Sequence, residues 1–128
     1  MTENKTAKGK CLLVDDSDEY LKIISKTLES WYDVMQADNG LVAWDMFLEH
    51  NFDIVVCDFV MPVMNGVELA SRIRSKNKTI PIYLITGFDI IDLDEFQVEI
   101  DKLKINALIS KPLTKEKLSN ILGLAADS

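Results

Sequence analysis

"IVVCDFVMPVMNG", residues 54–66, decides how the chain is read. Residues 54–57 are four apolar side chains in a row with no alternation. A strand needs that pattern when both its faces are covered, as in a parallel sheet between two helical layers. The run then ends in a carboxylate, Asp58, and resumes as Phe59, Val60 and Met61 before Pro62 breaks it. An acid at the tip of the most hydrophobic strand loses hydration, so it requires a compensating partner.

Working outward, strands and helices alternate. "CLLV" (11–14) is a short apolar run ended by Asp15 and Asp16. Residues 18–30 carry Leu21, Ile24 and Leu28 at helical spacing, and "YDVMQA" (32–37) alternates like a half-buried strand. Asn39-Gly40 is a turn before a helix at 41–49. "DIVVCD" (53–58) is the third strand, followed by a helix at 66–75. "IPIYLIT" (80–86) is the fourth strand, with Pro81 near its start, where a missing donor costs least. Leu93, Phe96, Ile100 and Leu103 mark a helix over 89–104, "ALIS" (107–110) is a fifth strand, and 114–122 is a last helix. The expected fold is α/β: a doubly wound five-stranded parallel sheet, order 2-1-3-4-5, flanked by five helices. There are no internal repeats, low-complexity tracts or linkers. Residues 1–10 are expected to be a disordered lead, 11–122 a single domain and 123–128 a short tail.

Composition narrows the class. A chain of 128 residues with 48% apolar and 27% charged content suits one domain with a real core. Its 14 Lys and Arg against 21 Asp and Glu give a net charge of −7, which repels phosphate backbones and argues against direct nucleic-acid binding. No apolar run is long enough to span a membrane, and "MTENKTAKGK" lacks the apolar segment of a signal peptide. Cys11 and Cys57 lie in strand runs without C-x-x-C spacing, so they read as reduced core residues of a cytoplasmic protein.

In a doubly wound sheet, ligands bind outside the carboxyl ends of the strands, at the switch point between strands 1 and 3. Strand 1 ends in Asp15-Asp16, strand 3 in Asp58 and strand 4 in Thr86, and strand 5 runs into Lys111. Each has an ordinary explanation: Asp16 or Ser17 as a helix cap, Asp58 as a turn former, Thr86-Gly87 and Lys111-Pro112 as plain strand ends. Unrelated turn residues would not select three acids, one hydroxyl and one lysine at one edge. Three close carboxylates repel unless a cation intervenes, and hard oxygen ligands suit Mg²⁺. A lysine ammonium and a threonine hydroxyl complete what a phosphoryl group needs as it transfers to a carboxylate oxygen. Asp58 is then the nucleophile, forming an acyl phosphate.

With "VDD" at 14–16, D-x-x-M-P-x-x-x-G from Asp58 through Met61, Pro62 and Gly66, "LITG" at 84–87 and "SKP" at 110–112, the chain resembles a response-regulator receiver domain of bacterial two-component systems, over nearly its whole length. The resemblance implies that Asp58 accepts phosphate from a histidine kinase or phosphotransfer protein. It implies that Asp16 and Asp58 ligate Mg²⁺ directly, Asp15 through water, and that the Val60 backbone carbonyl completes the protein ligands. It also implies that Thr86 and Lys111 contact the phosphoryl group and that the Lys111-Pro112 bond is cis. The family acts as a signalling domain that assists its own phosphorylation and dephosphorylation, not as an enzyme on a separate substrate.

The sequence departs from the family pattern at three positions. Leu108 stands three residues before the lysine, where the family usually carries a rotating Tyr or Phe. Val60 and Phe88, two residues past Asp58 and Thr86, replace frequently polar side chains, which predicts slow loss of the phosphoryl group. The 89–104 segment has surplus apolar residues, Ile91 and Val98, which suggest either a broadly buried helix or a surface for a downstream protein partner or homodimer. His50 reads as a dipole partner at a helix C-terminus, and Trp31 and Trp44 as packing residues. The chain reads either as a stand-alone receiver or as one excised from a longer protein. Two rivals stay open: a receiver-like interaction module that is not phosphorylated, and a dehalogenase-type aspartyl phosphatase. The phosphatase would need a second acid at position 60.

Overall fold

The apolar runs become strands because each has helices on both sides. In the computed structural model, which describes residues 8–87 and 93–123, β1 (Gly9–Val14), β2 (Tyr32–Ala37), β3 (Ile54–Asp58), β4 (Ile82–Thr86) and β5 (Ala107–Ser110) form one sheet in the order β2-β1-β3-β4-β5. Every adjacent pair is parallel. Side chains alternate across the sheet and sort into two cores. Leu12, Val14, Val55, Cys57, Ile82 and Leu84 lie on one side, and Cys11, Leu13, Ile54, Val56, Ile85 and Ile109 on the other. Each fully buried Leu or Ile contributes roughly 1.5–3 kcal/mol. Two cores of that kind let the sheet tolerate buried carboxylates at one edge.

The helices sort the same way. On the second face, α1 (Asp18–Leu28) supplies Leu21, Ile24 and Leu28, and α5 (Lys115–Leu122) supplies Leu118. On the first, α2 (Gly40–Glu49) supplies Ala43, α3 (Gly66–Lys76) supplies Leu69, Ala70 and Ile73, and α4 (Gln97–Lys102) supplies Ile100. Four starts are set by caps written in the sequence. The side chains of Ser17, Asn39, Asn65 and Thr114 accept from Tyr20, Val42, Glu68 and Lys117 amides, and Glu68 reaches back to the Asn65 amide to complete a capping box.

Several boundaries differ from the sequence expectation by a residue or two, and two of the differences have a clear structural reason. β1 opens at Gly9, ahead of the apolar run, because Gly9 and Lys10 pair with Tyr32 and Asp33. The Lys10 amide also donates to Asp53 Oδ2 at 2.7 Å, and its carbonyl accepts from the Asp53 amide at 2.8 Å. Of the expected helix over 89–104, residues 89–92 lie outside the described residues; the rest is divided, a 3₁₀ turn, Leu93–Phe96, preceding α4, which ends at Lys102. Phe96 joins them with φ −104° and ψ 2° and no side-chain cap. The far end stops where Arg74 takes the carbonyls of Leu103 (2.7 Å) and Lys104 (3.2 Å), with Lys104 at φ 55°. Val98 is exposed on α4, while Ile91 and Phe88 lie outside the described residues.

The remaining aromatic and sulfur residues pack. Trp44 stacks on Phe47, which stacks on Phe52, and His50 closes α2 with its ring edge-on to Phe52. Trp31 packs against the second core, with the Lys115 ammonium 5.8 Å from its ring centroid. Cys11 and Cys57 are free, buried thiols, and burial pushes Cys11 up to about 12. Among the described residues, no helix is long and apolar enough to cross a membrane.

Candidate functional site

Register brings the polar residues together. β1 and β3 pair through Val14 and Cys57, so the next residues, Asp15 and Asp58, leave neighbouring strands side by side. β4 and β5 end level at Thr86 and Ser110, and the Lys111 amide donates to the Thr86 carbonyl at 2.9 Å. The Lys111–Pro112 bond is cis. Lys117 Nζ donates to the carbonyls of Ser110 (2.9 Å) and Pro112 (3.1 Å), clamping the turn that carries Lys111. Gly66 is needed beside the acid: a Cβ there would lie 2.7 Å from the Asp58 carbonyl oxygen, and its amide donates to the Phe59 carbonyl at 2.8 Å. That close approach is the physical content of the glycine in the D-x-x-M-P-x-x-x-G string.

The result is an acidic cluster with the Lys111 ammonium beside it. A carboxylate oxygen from each of Asp15, Asp16 and Asp58 lies within 4.8 Å of the others. Asp15 is fully buried, Asp58 is 5% exposed, and Asp16 is exposed. Lys111 Nζ stands 3.7 Å from Asp58 Oδ2 and 3.9 Å from Asp15 Oδ2. Asp15 Oδ1 accepts from the Ser17 amide at 2.9 Å, whereas no donor among the described residues bonds the buried Oδ2. Burial, then the charge of Asp15, pushes the Asp58 carboxyl up to about 6, against the pull of Lys111. Burial raises Asp15 as well, opposed by the Ser17 amide and Lys111. One ammonium therefore does not compensate the cluster, which is the condition under which a hard divalent cation binds. The donor set is all oxygen, and the orphaned Asp15 oxygen can hold a metal-bound water. The residues fit Mg²⁺.

Thr86 is buried at the end of β4, and Val60 is 61% exposed beyond Asp58. Leu108 is half-buried, paired with Leu84 across β4–β5 and packed in the first core. Beside the cluster, Asp16, Asp38, Asn39, Leu41, Pro62 and Val63 line a groove of ≈470 Å³. Two features are not visible in the sequence pattern. Val63 takes a left-handed φ of 72° while 84% exposed. Tyr20, on α1, lies under Lys111, whose Nζ is 4.1 Å from the ring centroid.

Residues 11–123 match the sequence profile described as response regulator receiver domain. The chain belongs to the response regulator receiver family. This receiver is 37% identical over 127 residues to chemotaxis protein CheY1 of Helicobacter pylori strain J99, covering 89% of this chain and 97% of that protein. It is 35% identical over 117 residues to the transcriptional regulatory protein ZraR of Klebsiella oxytoca, covering 89% of this chain but 25% of that protein. The receiver thus spans about a quarter of ZraR's length. Its fold superposes on the Vibrio cholerae chemotaxis protein CheY4 with a TM-score of 0.80 at 29% identity, covering 91% of this chain and 98% of that one.

Proposed function

We propose that this receiver accepts a phosphoryl group on Asp58 from the phosphohistidine of a histidine kinase or phosphotransfer protein, in the cytoplasm. The reading rests on one observation above the others: a fully buried Asp15 carboxylate with an unbonded oxygen, set beside an Asp58 carboxyl held unusually high. Such a cluster is unfavourable unless it is used.

Asp58 presents a carboxylate oxygen at the mouth of the sheet. That oxygen forms the new P–O bond as the P–N bond to the donor imidazole breaks, and the imidazole nitrogen keeps the electron pair. Asp15, Asp16, Asp58 and the Val60 carbonyl would hold Mg²⁺. When bound, the ion neutralises phosphoryl oxygens as charge shifts between them. Lys111 supplies a second positive charge and Thr86 a hydroxyl donor to the same oxygens. Val60, turned outward and apolar, cannot orient a hydrolytic water by hydrogen bonding, so the acyl phosphate is long-lived. The signal leaves through a downstream protein partner or a second copy docking in the α4 region, where Val98 is 64% exposed.

Incubation with a small phosphodonor and Mg²⁺ tests this. The expected result is a mass gain of one phosphoryl group, lost in Asp58→Asn and suppressed by chelator. Uptake by Asp58→Asn at the wild-type rate, or undiminished uptake in excess chelator, refutes it. No uptake by the wild type under any donor favours an interaction module that is not phosphorylated.

A further inference from the structure

The Lys111 backbone is fixed on both sides. The Lys111 amide is bonded to the Thr86 carbonyl, and Lys117 fixes the carbonyls on either side of it. Lys111 Nζ lies 3.7 and 3.9 Å from the two carboxylates, well beyond the ~2.7–2.9 Å of a charge-assisted hydrogen bond. On its other side it lies 4.1 Å from the Tyr20 ring centroid, inside the ~6 Å reach of a cation–π contact. The ring is anchored in turn. Tyr20 is half-buried against the second core, and its amide donates to the Ser17 cap at 3.3 Å. The Lys111 side chain is only 16% exposed, so the contact is largely shielded from water.

We propose that Tyr20 is a positioning residue for Lys111: its ring holds the ammonium in the free receiver and releases it when a phosphoryl group occupies Asp58. This rests on reading Asp58 as the phosphoacceptor. Phosphoryl oxygens accept direct charge-assisted hydrogen bonds, which a ring face cannot match, so the ammonium moves toward them. The ring is then uncovered. An aromatic residue on α1 thereby registers the state of the site, while position 108, on β5, carries a leucine packed in the opposite core. A ring that must be given up on phosphorylation opposes that step, so removing it favours the phosphorylated state.

The test follows the Lys111 ε-methylene signals by NMR in the wild type, Tyr20→Phe and Tyr20→Leu, with and without Mg²⁺ and the phosphate mimic beryllofluoride. In the free proteins, ring current shifts these signals upfield in the wild type and Tyr20→Phe but not in Tyr20→Leu. Beryllofluoride moves the wild-type signals to the Tyr20→Leu position. Tyr20→Leu binds beryllofluoride about three- to tenfold more tightly, and Tyr20→Phe matches the wild type within about twofold. A side chain that merely packs would weaken binding when truncated, so weaker binding by Tyr20→Leu overturns the proposal. So does an upfield shift that persists in the wild type with the mimic bound, a measurement that needs no variant to fold. Identical Lys111 shifts in all three free proteins also refute it, whatever the mimic does. A wild type with no response to beryllofluoride at any resonance instead removes the phosphoacceptor reading, and the release step with it.

Discussion

Asp58→Asn should stabilise the metal-free protein, and the size of the gain follows from the site. Asp58 is 5% exposed, and its carboxyl is pushed up to about 6, first by burial and then by the charge of Asp15. In the unfolded chain an aspartate titrates near ~3.9. The native state therefore keeps a proton that the unfolded state releases between those two values. Stability falls as pH rises through that window and levels off above the folded pKa. By about pH 7 the ionised carboxylate costs the native state on the order of 2–3 kcal/mol, the free-energy equivalent of that gap. A buried amide in its place lacks full hydrogen bonding and returns part of that gain. The expected net is about 1–2 kcal/mol in chelator, or about 3–8 °C in Tm for a domain of this size. Urea and thermal unfolding of both proteins in chelator measure it, at neutral pH and again at about pH 4, where the difference should shrink toward zero because both side chains are then largely uncharged. Added Mg²⁺ should narrow the gap by stabilising the wild type more than the variant. If Asp58→Asn is no more stable at neutral pH, or keeps the same advantage at acid pH, the cluster is not electrostatically strained and the argument for a cation loses its basis.

Four further outcomes are expected. Gly66→Ala should destabilise by about 1–3 kcal/mol in urea unfolding and slow phosphoryl uptake, because its Cβ would meet the Asp58 carbonyl at 2.7 Å and Phe59 Cα and Leu84 Cδ2 at 3.1 Å. Val63→Asn should gain about 1 kcal/mol in the same assay, since asparagine tolerates the 72° φ and an exposed valine gives up little packing. Val60→Asn should shorten the lifetime of the acyl phosphate, followed by loss of label or of the phosphorylated mass; an unchanged or longer lifetime contradicts the water-access argument. Hydrogen exchange with and without beryllofluoride should change most over residues 93–104 and little over 32–49; a uniform response would rule out α4 as the output element.

Much of this was legible because strong local signals agreed. Unalternating apolar runs, helical spacing in the segments between them, and polar residues after the strands all point to one parallel sheet with one loaded edge. The acids could be located in the sequence because strand ends in this topology are forced to one side. What could not be read depends on contacts between distant residues or on backbone states that the residue type disfavours. The ring of Tyr20 under Lys111 joins positions 91 apart, and no periodicity encodes it. Valine gives no hint of a left-handed φ, so the strain at Val63 was invisible. The early start of β1 depends on Asp53. The division of the 89–104 helix depends on Phe96 leaving helical geometry, and its end on carbonyls taken by Arg74.

That arginine has a consequence for movement. One guanidinium gathers the carbonyls of Asn77, Ile80, Leu103 and Lys104, so it rivets the end of α3 to the end of α4 and to the entrance of β4. A helix riveted at one end cannot slide along its neighbours; it can only pivot. The opposite end of that lever is the Leu93–Phe96 turn, and Phe96 rests edge-on against Phe59 at 5.1 Å, one residue from Asp58. A small push at the acid would thus act on the long arm, where a given rotation produces the largest displacement, with the riveted end as the pivot.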